Sequence, residues 1–170
     1  MRNATNFSTV PLAELTLLNK TRGTDSSKPI VLVVDDEAVI ADTLAVILGQ
    51  SGFMAIPAYD GRSALEMAEL VPPDLLLTDV VMPGMSGIDL ALAIRQNIPS
   101  CKILLFSGQS ATVDLLADAG EAGRDFAVLN KPIHPTDLLA RVSQTLEFRV
   151  VNAASEISER EASESLSMSV

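Results

Sequence analysis

Carboxylates at the ends of apolar runs dominate the chemistry this chain offers. Asp79 closes the run Leu75-Leu76-Leu77-Thr78 and is followed at once by Val80-Val81-Met82-Pro83-Gly84. A strand that delivers an acid to its own end and then breaks into a Pro/Gly loop presents that acid to solvent. The run Ile30-Val31-Leu32-Val33-Val34 ends in the same manner, in Asp35 and Asp36. With the two strands as neighbours, three carboxylates converge on one point. Such a cluster calls for a hard cation with oxygen ligands.

These groups need a scaffold, and the hydrophobic pattern supplies one. Ile30–Val34 is apolar throughout, as expected of a parallel strand covered on both faces. Val39, Ile40, Thr43, Leu44, Ile47 and Leu48 then recur at helical spacing, and Gly52 supplies a stop. The pattern predicts strands over 53–58, 74–78, 102–106 and 126–129. Further helices are predicted over 61–70, 87–96, 112–119 and about 136–149, the third of these weakened by Gly120 and Gly123. Strands alternating with helices mean an α/β fold with a parallel sheet and right-handed crossovers. A chain of 170 residues suits an open doubly wound sheet of five strands and five helices better than a closed barrel.

The carboxyl ends of these strands carry complementary groups. The first gives Asp35 and Asp36, the third Asp79, the fourth Ser107 and the fifth Lys131, while the second ends at Ala58-Tyr59 without a polar group of interest. Carboxylates with water suit Mg²⁺. A hydroxyl and an ammonium suit the outer oxygens of a phosphoryl group. The set reads as a phosphoryl-transfer site whose acceptor is a carboxylate. Taken singly, each residue is ordinarily a cap, a turn or a solvated charge; order and register give the set its meaning. Three unrelieved carboxylates repel, so without metal at least one is expected to have a raised pKa.

Composition excludes other classes. A formal net charge of -10 argues against nucleic acid and against an anionic membrane as partner. The single cysteine, Cys101, excludes an internal disulfide and reads as an inert packing residue. No apolar run approaches the roughly 20 residues of a membrane span. Pro11 and Glu14 interrupt any secretory core near the start, so a cytoplasmic location is expected. Residues 1–28 are Asn/Thr/Ser-rich with an apolar patch at Leu12, Leu15, Leu17 and Leu18, and 150–170 is acidic and Ser/Glu-rich. Both read as flexible or disordered tails around a domain at 29–149.

Together, Val33-Val34-Asp35-Asp36-Glu37, Asp79 through Gly87, Ser107-Gly108 and Lys131-Pro132 resemble the receiver domain of bacterial two-component response regulators. That resemblance implies a flavodoxin-like sheet with strand order 2-1-3-4-5. It implies Asp79 as the phospho-acceptor, Asp36 as a direct Mg²⁺ ligand, Asp35 as a ligand directly or through water, and the Val81 backbone carbonyl as a further ligand. Ser107 corresponds to the switch hydroxyl and Lys131 to the lysine on a phosphoryl oxygen, with a cis bond to Pro132. The implied phosphodonor is a sensor histidine kinase or phosphotransfer protein.

Departures from the family pattern are informative. The position three before the lysine, commonly aromatic, is Val128; Phe126 lies two residues earlier and reads as core. The stretch from Ser107 to Lys131 is slightly long for the family. Val81 offers no side chain to orient a hydrolytic water, whereas Gln109 offers one, and slow self-dephosphorylation is expected. His134 reads as a loop residue rather than a phosphodonor, and Arg124 and Arg141 as solvated charge.

The expected function is that of a single-domain receiver signalling by protein–protein contact, not an enzyme in the ordinary sense. The contact surface expected, for a target or for a second copy, comprises the helix over 112–119, the fifth strand and the last helix. Two other readings compete: a pseudo-receiver that binds partners without phosphorylation, and a phosphohydrolase using Asp35 as nucleophile and Glu37 as acid/base. The second leaves the Asp79 loop unexplained.

Overall fold

The computed structural model describes residues 28–108 and 126–147. They form a five-stranded, wholly parallel sheet in the order β2-β1-β3-β4-β5. The strands are β1 Ile30–Val34, β2 Met54–Ala58, β3 Leu75–Asp79, β4 Lys102–Ser107 and β5 Ala127–Asn130. The helices among the described residues are α1 Ala38–Gln50, α2 Gly61–Leu70, α3 Gly87–Asn97 and α4 Pro135–Leu146. The helix expected over 112–119 and most of both expected tails lie outside the described residues.

Alternation along the strands divides the core into two layers, because successive side chains point to opposite faces. Ile30, Leu32, Val34, Leu76 and Leu105 pack with Ala64 and Ala68 of α2 and Leu90, Ala91 and Ile94 of α3. Val31, Val33, Leu75, Leu77, Leu104, Phe106 and Leu129 pack with Leu44 and Leu48 of α1 and Leu138 and Val142 of α4. Every residue of β1 is buried, which explains its unbroken apolar sequence. At one edge, β2 tolerates Pro57 because only one of its sides pairs.

Local chemistry sets the ends of the elements. Asp60 caps α2 by accepting from the Ser63 N–H at 2.8 Å. Ser86 caps α3 through the Asp89 N–H at 3.1 Å and donates back to the Asp89 carboxylate at 2.7 Å. His134, read from sequence as a loop residue, caps α4: its Nδ1 accepts from Thr136 N–H at 3.3 Å. That helix stops at Leu146, short of the expected 149, with Glu147 left-handed at φ 53°. Elsewhere the strand boundaries shift by about one residue, the usual play at element ends.

In α1 the expected apolar face is only partly the buried one. Ala41, Leu44 and Leu48 are buried, whereas Val39 is 78% exposed and Val46 58% exposed. The helix carries more apolar residues than one face accommodates. Leu138→Ala, in the fully buried seam of α4, is therefore expected to lower unfolding free energy by about 2–5 kcal/mol. Val39→Ala should change it by no more than about 0.5 kcal/mol in the same urea titration.

Candidate functional site

Register brings the strand ends level. Val34 pairs with both Ala58 and Thr78, Asp79 with Phe106, and Ser107 with Asn130. Asp35, Asp79, Ser107 and Lys131 thus occupy one rim of the sheet, where ligands of open α/β folds bind. The chain restates this level in its backbone bonds: Asp35 N–H donates to Ala58 O at 3.2 Å and Lys131 N–H to Ser107 O at 2.8 Å.

Carboxylate oxygens of Asp35, Asp36 and Asp79 lie within 4.8 Å of one another. Their exposure is graded. Asp35 is 1% exposed, the Asp79 side chain 13%, and Asp36 faces solvent. Lys131 joins the inner two, its Nζ 2.8 Å from Asp35 Oδ2 and 3.3 Å from Asp79 Oδ1. The same ammonium sits 4.8 Å above the Phe106 ring centroid, a cation–π contact that steadies its stem. The other Asp35 oxygen accepts the Glu37 N–H at 2.9 Å. Asp35 is consequently committed to the protein on both oxygens.

Asp79 differs. Its Oδ1 takes both the Lys131 contact and the Val80 N–H at 2.9 Å. Among the described residues nothing donates to Oδ2, which leaves one oxygen available for a metal or an electrophile. The Asp79 carboxyl is pushed above its ordinary value, chiefly by burial and secondarily by repulsion from Asp35. Lys131 and the Val80 N–H pull it back without prevailing. Repulsion within the cluster, from which at least one raised acid is expected, is thus the smaller cause beside burial. For Lys131, burial pulls the pKa down and is outweighed by Asp35 and Asp79, so the ammonium is held above its usual value. The asymmetry is physical: one ammonium faces two carboxylates, while Asp79 shares that one cation with Asp35.

The loop after Asp79 is anchored at alternate residues. Val80 and Met82 are buried, Val81 is 53% exposed, and Gly84 turns the chain at φ 78°. The Val81 carbonyl accepts no hydrogen bond among the described residues. Ser107 is buried at 1% exposure, and its hydroxyl donates to Gly108 O at 3.1 Å. The Lys131–Pro132 bond is cis.

Other sequence expectations resolve more plainly. Cys101 is buried, its thiol pushed up to about 12 by burial, consistent with an inert packing role. Phe126 is core, and the Arg95 guanidinium lies 4.8 Å from its ring centroid. Val128 packs half-buried on that same layer. Gln109 and Arg124 lie outside the described residues. Two rim features escaped the sequence. Tyr59, passed over at the end of β2, donates its hydroxyl to Asp42 Oδ1 at 2.8 Å. Gly87 opens α3 so close to β3 that a Cβ would fall 1.8 Å from Asp79 O. A glycine at the first helical position was the one available signal for it.

The family model of the response regulator receiver domain matches residues 31–143. The chain belongs to that family. Receiver domains are signalling domains that bind Mg²⁺ at an acidic pocket, and the Asp35, Asp36 and Asp79 cluster has the hard oxygen donors that ion takes. The DNA-binding response regulator MtrA of Mycobacterium tuberculosis (strain ATCC 25618 / H37Rv) is 35% identical over 122 residues, 72% of this chain and 52% of that protein. The alkaline phosphatase synthesis transcriptional regulatory protein PhoP of Bacillus subtilis (strain 168) is 34% identical over 125 residues, 74% of this chain and 51% of that one. This chain therefore spans about half the length of these curated relatives. Among solved structures, a CheY-like receiver protein of Methanospirillum hungatei JF-1 superposes with TM-score 0.65 at 28% identity, over 71% of this chain and 95% of that one. Vibrio cholerae CheY4 gives TM-score 0.63 at 28% identity, over 70% and 99%. No helix among the described residues is long and apolar enough to cross a membrane.

Because both contributions of Lys131 lower the Asp79 pKa, Lys131→Met is expected to raise it further, read by NMR titration of the carboxyl carbon. The sign for stability follows from linkage. A carboxyl whose folded pKa is raised binds protons more tightly when folded, so stability falls as pH rises through the window between unfolded and folded values. Lys131→Met should widen that acidic window upward.

Proposed function

We propose that this receiver accepts a phosphoryl group on Asp79 from a histidine-bearing donor, a sensor kinase or phosphotransfer protein. The observation that carries the reading is the division of labour at Asp79: Oδ1 is pinned by Lys131 and the Val80 N–H, while Oδ2 is left without a donor among the described residues. In that reading Oδ2 attacks phosphorus in line, the Oδ2–P bond forms, and the P–N bond to the donor imidazole breaks with its electron pair going to nitrogen. Positioning and charge stabilisation accomplish most of such a transfer.

Asp36 and Asp79, with Asp35 directly or through water and the Val81 carbonyl, would hold Mg²⁺. The cation, when bound, neutralises charge on the phosphoryl oxygens. Lys131 is already poised at the acceptor and would shift its longer contact, the 3.3 Å one, to a phosphoryl oxygen while keeping Asp35. The Ser107 hydroxyl would turn from Gly108 O to the same group. Added charge at the rim, met by those two movements, is the switch.

The output proposed is contact with another protein, from a cytoplasmic regulator, through the surface of β5, α4 and the segment preceding β5. A second copy is one such partner. The net charge of -10 supports protein contact over nucleic acid as the output of this stretch.

With Mg²⁺ and acetyl phosphate, intact mass is expected to rise by one phosphate, and Asp79→Asn is expected to abolish the gain. No gain in the wild type would favour an unphosphorylated interaction module. A gain that depends on Asp35 alone, with repeated turnover, would favour a hydrolase. Since Val81 has no group to orient water, the acyl phosphate should persist for minutes or longer after donor removal; decay within seconds would overturn that expectation. Mg²⁺ should also raise the melting temperature, and Asp36→Asn should blunt the rise, as measured by differential scanning fluorimetry.

A further inference from the structure

Thr78 is fully buried, yet the chemistry above gives its hydroxyl no part. A valine would match its shape in this apolar strand, and a buried hydroxyl is costly unless bonded. Its Oγ1 donates to the backbone carbonyl of Asp79 at 3.0 Å. Gly87, at the start of α3, closes on the same two groups: a Cβ there would lie 1.8 Å from Asp79 O and 3.0 Å from Thr78 Oγ1. The carbonyl is thus tethered by a hydroxyl in a space that only a glycine leaves open.

That carbonyl and the Val80 N–H belong to one planar peptide group and point in opposite directions. Fixing the first fixes the second. The Val80 N–H is the group that donates to Asp79 Oδ1 at 2.9 Å, while also reaching Phe106 O at 3.3 Å. The next peptide is held as well, since Gly87 N–H donates to Val80 O at 3.0 Å.

We infer that Thr78 is a positioning residue for Asp79: its hydroxyl sets the Asp79–Val80 peptide plane, and that plane aims the carboxylate. The inference rests on the reading of Asp79 as phospho-acceptor. With the hydroxyl gone, the plane keeps only the longer bond to Phe106 O, Oδ1 holds its N–H less firmly, and more of the acid's positioning falls on Lys131. Its second oxygen then spends less time in line with an incoming phosphorus.

Thr78→Val removes the hydroxyl and keeps the shape; Thr78→Ser keeps the hydroxyl and drops the methyl. Maximal phosphorylation rate and apparent donor constant are measured with acetyl phosphate at saturating Mg²⁺, beside thermal unfolding. Thr78→Val is expected to lower the maximal rate roughly tenfold, with the donor constant within about twofold of wild type. Thr78→Ser should recover the rate to within about twofold, whatever its melting temperature. A Thr78→Val rate equal to wild type, or a Thr78→Ser variant as slow as Thr78→Val, overturns the inference. Absence of phosphorylation in the wild type would instead sink the acceptor reading. The inference is then decided by Mg²⁺ titration followed by NMR: weaker binding in Thr78→Val but not Thr78→Ser upholds it, and equal affinities overturn it.

Discussion

The rim of this protein depends on one ammonium held between two carboxylates. Lys131 reaches Asp35 across a sequence separation of 96 residues and meets Asp79 on the way. A carboxylate as deeply buried as Asp35 is untenable without a cation beside it. Lys131 supplies that cation, and Asp35 uses it fully, with its other oxygen on the Glu37 N–H. Asp79 receives only the longer, shared contact. The inner acid is thereby neutralised as part of the fold, while the outer acid stays under-compensated, with a raised pKa and an oxygen to spare. An acidic pocket of this kind is stable as it stands and still favours an added cation.

The sheet makes that arrangement possible. Each strand of the order β2-β1-β3-β4-β5 delivers its last residue to the same level, and two apolar layers clamp the strands from either face. A one-residue slip of β3 would turn Asp79 to the opposite face of the sheet, so the site depends on the register that pairing with β1 and β4 holds. The loop beyond Asp79 follows the same logic. Buried Val80 and Met82 hold it down on either side of the exposed Val81.

The β5 position at which the family commonly carries an aromatic residue is occupied here by Val128. Val128 has little to rotate. The aromatic on that face is Phe126, buried in the core and covered by the Arg95 guanidinium. Ser107 and Lys131 are linked directly, through the Lys131 N–H on the Ser107 carbonyl. The β4–β5 pairing ties these two rim residues to one another.

The run of apolar residues in each strand, the acids that end them and the Ser-Gly and Lys-Pro pairs were legible in the amino-acid order. Two-fold and 3.6-fold periodicities are local properties, and turn residues mark their ends. Fold class, strand order by resemblance and the rim residues all followed. The face of α1 did not, since Val39 and Val46 are as apolar as the residues the sheet buries and only packing selects among them. Neither did the cap made by His134, the Tyr59–Asp42 bond or the approach of Gly87 to Asp79, each of which needs a neighbour placed in space. The sequence alone determined which acids stand at strand ends. Tertiary structure decided that they are unequal: Asp35 is saturated, Asp36 solvated and Asp79 half-satisfied, because burial and the reach of a single lysine are properties of position, not of residue type.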